Sequence, residues 1–115
     1  MYVEEFKNNE DVADQYAGYH QEEEKQRILK LLNESTVYLA YYGHGSYDGT
    51  SLVIFEHNGI LYEVNASHCS CYGLEGQWAP EETNWKAIGM REFTDHYNGE
   101  KTVKEYIDNL VAEHA

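Results

Sequence analysis

No lysine or arginine occurs between Lys30 and Lys86. Glu34, Asp48, Glu56, Glu63, Glu75, Glu81 and Glu82 all fall inside that interval, so the middle of the chain presents one sign of charge. Over the whole chain, 21 acidic against 8 basic residues give a formal net charge of −13. Such a charge repels nucleic acid and anionic membranes and suits a partner with a basic surface. A solvated acidic face that aids solubility is the simpler reading of the same charge. Missing too is any apolar run long enough to span a bilayer. The opening Met1-Tyr2-Val3-Glu4-Glu5-Phe6 lacks the basic and apolar stretches of a secretory signal. Together these absences predict a cytoplasmic protein. Cysteine is scarce, with only Cys69 and Cys71. A disulfide is disfavoured in the cytosol, and one closing across a single residue is strained, which leaves free thiols or metal ligands.

What is present reads as a single α+β domain. The 115 residues suffice for one modest core, and 11 tyrosines supply much of its apolar content. Residues 10 to 33 carry apolar positions at helical spacing (Val12, Tyr16 and Tyr19, then Ile28, Leu31 and Leu32), with Gly18 dividing the stretch and Asn33-Glu34-Ser35 ending it. Three strands follow, Thr36 to Tyr42, Thr50 to His57 and Ile60 to Ala66. Asn58-Gly59 between the last two is a strong signal for a two-residue hairpin. Its register puts His57 opposite Ile60, Phe55 opposite Tyr62 and Val53 opposite Val64, making one apolar face. Ile54 with Glu63 and Leu52 with Asn65 make a mixed face. Pro80-Glu81-Glu82 resembles a helix start, and Trp85, Ile88 and Met90 supply a short helix. Lys101 to Ala115 carries Val103, Tyr106, Ile107, Leu110 and Val111 as one stripe. The expected architecture is a three-stranded antiparallel meander with an N-terminal helical region and a C-terminal amphipathic helix.

Chemistry concentrates in Ser67-His68-Cys69-Ser70-Cys71. In an extended segment a Cys-x-Cys places both sulfurs on one face, which is half of a tetrahedral zinc site. Zinc suits thiolate with imidazole, and the candidates to complete the site are His44, His57, His68 and a carboxylate such as Asp48. His68 has the opposite strand parity to the cysteines, which makes it the poorer co-ligand of its neighbours. The spacing matches neither a zinc finger nor a Cys-x-x-Cys redox site. Two small buried thiols are the plainer alternative. A cysteine nucleophile paired with histidine is a further one, but acidic surroundings oppose the thiolate. Gly43-His44-Gly45 lacks the Gly-Lys-Ser/Thr ending of a phosphate loop. Tyr38, Tyr41, Tyr42 and Tyr47 read equally as a contact surface or as sheet packing. The carboxylates expected to meet a basic partner, as exposed strand and loop positions, are Glu56, Glu63, Glu75, Glu81 and Glu82.

The string from Leu61-Tyr62-Glu63-Val64-Asn65 through Ser67-His68-Cys69-Ser70-Cys71-Tyr72-Gly73-Leu74-Glu75-Gly76-Gln77-Trp78 to Pro80-Glu81-Glu82 resembles a segment of small phage and prophage proteins. The resemblance implies a mobile-element origin and carries no catalytic residue. Small acidic phage proteins that bind a host protein are often inhibitors of host defence, anti-CRISPR proteins among them. The expected function on this basis is an anti-CRISPR-like inhibitor that uses its acidic surface to bind a nucleic-acid-handling host protein such as a CRISPR nuclease, and the Cys69-x-Cys71 spacing adds the expectation of a structural zinc. The competing classes are a small cysteine/histidine or zinc-dependent enzyme, and a structural or accessory phage protein.

Overall fold

A computed structural model of the chain describes residues 2–4, 6–18, 20–43, 49–68, 73–90 and 103–114. The turn at Asn58-Gly59 organises it. Both residues have positive φ, +53° and +80°, as the tightest hairpin turns require. The strands it joins, β3 (Gly49–His57) and β4 (Ile60–His68), pair without interruption from His57↔Ile60 to Gly49↔His68. The five pairings expected from the turn are all present.

The sheet is larger than the expected meander. It has five strands in sequential order, with β2 (Thr36–Tyr42) on the outer side of β3. Two short strands extend it: β1 (Tyr2–Glu4), parallel to β2, and β5 (Glu81–Glu82), antiparallel to β4. Glu81-Glu82 is therefore not a helix start. The open edge of β4 pairs with it at Tyr62↔Glu82 and Glu63↔Glu81, and Thr83 N–H donates to the Leu61 carbonyl. Edge pairing overrides the weak local preference of two glutamates.

Helices cover both faces. On one face lie α1 (Asn9–Ala17) and α2 (Glu22–Asn33), whose Val12, Ala13, Tyr16, Ile28 and Leu32 pack on Ala40, Tyr42, Val53, Phe55 and Val64. Asn8 Oδ1 accepts the Asp11 N–H and starts α1. Gly18, at φ +88°, ends it. Lys25 Nζ lies 3.6 Å from both Glu10 and Asp14, tying α2 to α1. On the other face lie α3 (Trp85–Gly89), capped by Asn84, and α4 (Val103–His114). Their Ile88, Ile107 and Leu110 pack on Leu39, Tyr41, Leu52, Ile54 and Leu61. The face expected to be mixed is thus a second core. Lys104 Nζ donates to the Gly89 carbonyl and holds α4 to the end of α3.

A bulge in β2 resolves the tyrosines. Val37 pairs with Phe55 and Leu39 with Ile54, leaving Tyr38 as the extra residue. Tyr38 and Leu39 consequently pack on the same core. Tyr38 meets Trp85 and His114 edge-on at 5.2 and 4.7 Å. Tyr41 and Tyr42 are buried core residues, not a contact surface.

Gly59 offers a clean test of the turn. A Cβ there would meet no atom within 4 Å, so Gly59→Ala probes backbone strain alone. It should lower stability by about 1–2 kcal/mol, read from the urea midpoint at unchanged m-value. An unchanged midpoint would contradict the positive-φ turn.

Candidate functional site

The segment from Gly73 to Pro80 folds back over the α1–α2 face and builds a concavity there. Leu74 is fully buried. The Gln77 side-chain amide brackets Ser67 as a strand would, donating to its carbonyl at 2.7 Å and accepting its N–H at 3.1 Å. Gly76 N–H donates to the Tyr16 carbonyl at 3.2 Å. Trp78 stacks on Phe55 with ring centroids 5.9 Å apart and meets Tyr16 edge-on at 5.1 Å. Trp78 thus anchors the segment.

Between this segment and the α1–α2 corner lies a cavity of about 430 Å³. Tyr16, Ala17 and Gly18 at the end of α1, Gln21 and Glu24 at the start of α2, and Glu75, Gly76 and Trp78 line it. Glycine is required at its wall: a Cβ on Gly18 would stand 2.6 Å from Glu75 Cβ. Glu24 is bridged to Arg27 at 2.6 Å, and Glu75 accepts a long hydrogen bond from Gly73 N–H. A smaller concavity of about 200 Å³ lies beyond the stacked rings, lined by Leu31, Phe55, His57, Tyr62 and Pro80.

Beneath the cavity floor, Tyr16 donates to Ser51 Oγ at 2.7 Å. Both residues are buried. Burial pushes the Tyr16 phenol well above its ordinary value, the Ser51 hydrogen bond offsets this only in part, and Tyr42 adds to it.

The acidic candidates divide among surfaces. Glu75, Glu81 and Glu82 are exposed and Glu56 is partly so. Glu63 is not an exposed position: it is 1% accessible, turned into the second core, with Asn65 Nδ2 donating to its Oε1 at 2.7 Å. A buried carboxylate needs such donors, and none of its surface is left for a partner. Glu56 shares that face and acts on Tyr38, whose phenol is raised by burial first and by Glu56 second. Glu75 lies across the sheet from it. The carboxylate that the sequence reading passed over is Glu24, which joins Glu75 at the cavity because Gly18 turns α2 back beside α1.

Among the metal candidates, Cys69, Cys71, His44 and Asp48, and the side chain of His68, lie outside the described residues. His57 is described and ends β3, roughly 26 Å from Gly49 at about 3.3 Å per residue. Gly49 pairs with His68. Gly43, which precedes His44, donates to the Thr50 carbonyl at 2.9 Å, and Thr50 pairs with Ser67. The described residues that border His44 and Cys69 therefore meet at one end of the sheet. Among the described residues no three His, Cys, Asp or Glu side chains group as a metal site.

His57 has a different neighbour, Ser35, with Oγ 3.1 Å from Nδ1. The Ser35 hydroxyl donates to the Leu31 carbonyl at 2.6 Å. The imidazole must then donate to Oγ, the reverse of what a general base for a serine nucleophile requires. The pair closes the end of α2. Among the described residues no helix is long and apolar enough to cross a membrane. Comparison with protein-family models, curated proteins and solved structures returns no match to this chain.

The Tyr16 phenol sets a pH dependence. A phenol whose folded value is raised stabilises the fold fully below the unfolded value, about 10, and progressively less as pH rises beyond it. The urea midpoint should hold from pH 7 to 9 and fall above pH 10, by up to about 1.4 kcal/mol per pH unit for this one group. Tyr16→Phe should flatten that fall while costing about 1 kcal/mol at neutral pH through the lost hydrogen bond. An equally steep fall in the variant would remove Tyr16 as its cause.

Proposed function

We propose that the protein works by binding a basic protein, as an inhibitor of a nucleic-acid-handling host protein of the CRISPR-effector kind. The observation that carries this reading is the surface around the Gly73–Glu82 segment. Glu75, Glu81 and Glu82 are exposed there, in a stretch of chain without a cation between Lys30 and Lys86. Glu24 adds a carboxylate from α2 beside Glu75. A surface with this acidic excess, where Arg27 bridges only Glu24 among these carboxylates, steers a basic partner into encounter and makes association depend on salt. The resemblance of the Leu61–Glu82 string to small phage proteins supports a mobile-element source.

Reversing Glu75, Glu81 and Glu82 together to lysine should slow association at low salt by about tenfold or more and flatten its salt dependence. Stability should barely change, because exposed charges contribute little to it. Capture from host lysate and rate measurements against a purified CRISPR nuclease at two salt concentrations provide the check. Tight binding indifferent to salt and to the reversals contradicts the reading.

A structural zinc held by the Cys69 and Cys71 thiolates belongs to the same proposal, with His44 as the histidine whose described neighbour, Gly43, lies at the same end of the sheet as His68. Metal binding would add to folding stability in so small a chain. Protein purified without chelator or histidine tag should carry near-stoichiometric zinc, and Cys69→Ser with Cys71→Ser should lower the melting temperature. Metal-free protein whose two thiols react freely in the native state would sink the zinc.

A further inference from the structure

We infer that the cavity between α1, α2 and the Gly73–Trp78 segment receives an arginine side chain of the partner. The inference rests on the basic-partner reading above and names where that partner is held. Four features converge on a guanidinium. First, the cavity is a preformed recess of about 430 Å³, inside the roughly 300–1,000 Å³ span of ligand sites. Second, one wall is the Trp78 indole, held by its stack on Phe55 and its edge contact with Tyr16. A guanidinium gains from the quadrupole of an indole where it meets the face opposite the one stacked on Phe55.

Third, the charge is right at both levels. Glu75 and Glu24 stand at the rim. The end of α1 also faces the recess through Tyr16, Ala17 and Gly18, and its last turn contains no basic residue. The negative end of that helix favours a cation, and Lys25 of α2 already stands 3.6 Å from Asp14 in the last turn. The positive end of α2 opposes it, but Glu22, Glu23 and Glu24 fill that first turn. Fourth, the carboxylates take guanidinium readily in this setting. Glu24 already holds Arg27, a residue 71% exposed, at 2.6 Å, while among the described residues the hydrogen bond to Glu75, from Gly73, is 3.3 Å long. Glu75 is thus the carboxylate open to a second, bidentate guanidinium.

The recess is also rigid where rigidity matters. Gly18 and Gly76 hold φ of +88° and +78°, and the Gly76-to-Tyr16 hydrogen bond fixes the wall against the helix end. Preorganisation of this kind lowers the ordering cost of binding. A lysine ammonium, being compact and strongly hydrated, cannot use the indole face and two carboxylate oxygens together.

The test uses the whole chain and Nα-acetyl-arginine-methylamide, with its lysine and citrulline counterparts, followed by the amide signals of Gly18 and Gly76 and the indole N–H of Trp78. The arginine probe should shift these three signals saturably, with a roughly millimolar dissociation constant. The lysine probe should bind at least about threefold more weakly, and citrulline, which lacks the charge, should not bind. Glu75→Gln should weaken the arginine probe about fivefold or more. Gln21→Arg, at an exposed residue before α2 that makes no capping hydrogen bond, should block it by supplying a resident guanidinium, with the sheet signals unchanged. No saturable shift up to about 50 mM, equal responses to arginine and citrulline or lysine, or full affinity in Glu75→Gln would each overturn the inference. If the probe fails while a basic partner still associates more slowly on reversal of Glu81 and Glu82, the cavity assignment is wrong and the surface reading stands.

Discussion

The two-residue turn at Asn58-Gly59 sets the positions of nearly everything else. With both residues at positive φ, only one register joins β3 to β4, and side-chain parity follows from it along the whole ladder. That parity gives Phe55, Val53 and Val64 to the α1–α2 core, and Ile54, Leu52 and Leu61 to the α3–α4 core. A slip of one residue would exchange the two sets. It would also take Phe55 from under Trp78 and turn Glu63 from the α3–α4 side into the α1–α2 core, away from its present surroundings.

Burying both faces of a sheet in a chain this small leaves little room for polar strand residues. Ser51 and Glu63 are the buried polar side chains among the described residues, and each has a named partner, Tyr16 and Asn65. These two contacts cross or border the sheet near the places where loops close over it. The Tyr16–Ser51 bond lies beneath the cavity, and Glu63 lies opposite Ile54 and beside β5. The chain thus satisfies its interior polar groups locally and keeps its remaining carboxylates for the outside.

Much of the fold is legible in the sequence because its signals are local. The hairpin turn, the register, the break at Gly18, the end of α2 at Asn33 and the apolar stripe of α4 each arise from residues close in the chain. What was not legible depends on distant contacts. β1 is three residues long and exists because β2 offers it an edge. β5 is two glutamates that read as a helix start, and the edge of β4 makes them a strand. Glu63 and Asn65 made one face read as mixed, although α3 and α4 bury it. His114 stacks on Trp85 at 4.9 Å and meets Tyr38, contacts between elements far apart in sequence. Of the candidate site, Glu75, Glu81 and Glu82 were readable as exposed acids. The pairing of Glu24 with Glu75 was not, because a turn at positive φ brings together residues far apart in sequence.

The surface reading and the cavity share one structural premise: Trp78 lies flat on Phe55 and edge-on to Tyr16, so that Glu75 is carried to the end of α1. Nuclear Overhauser contacts of the Trp78 indole protons test that premise most directly. The account predicts contacts to the rings of both Phe55 and Tyr16, and none to Ile54 or Leu61. Contacts to Ile54 or Leu61, or an indole without contact to either aromatic ring, would contradict it.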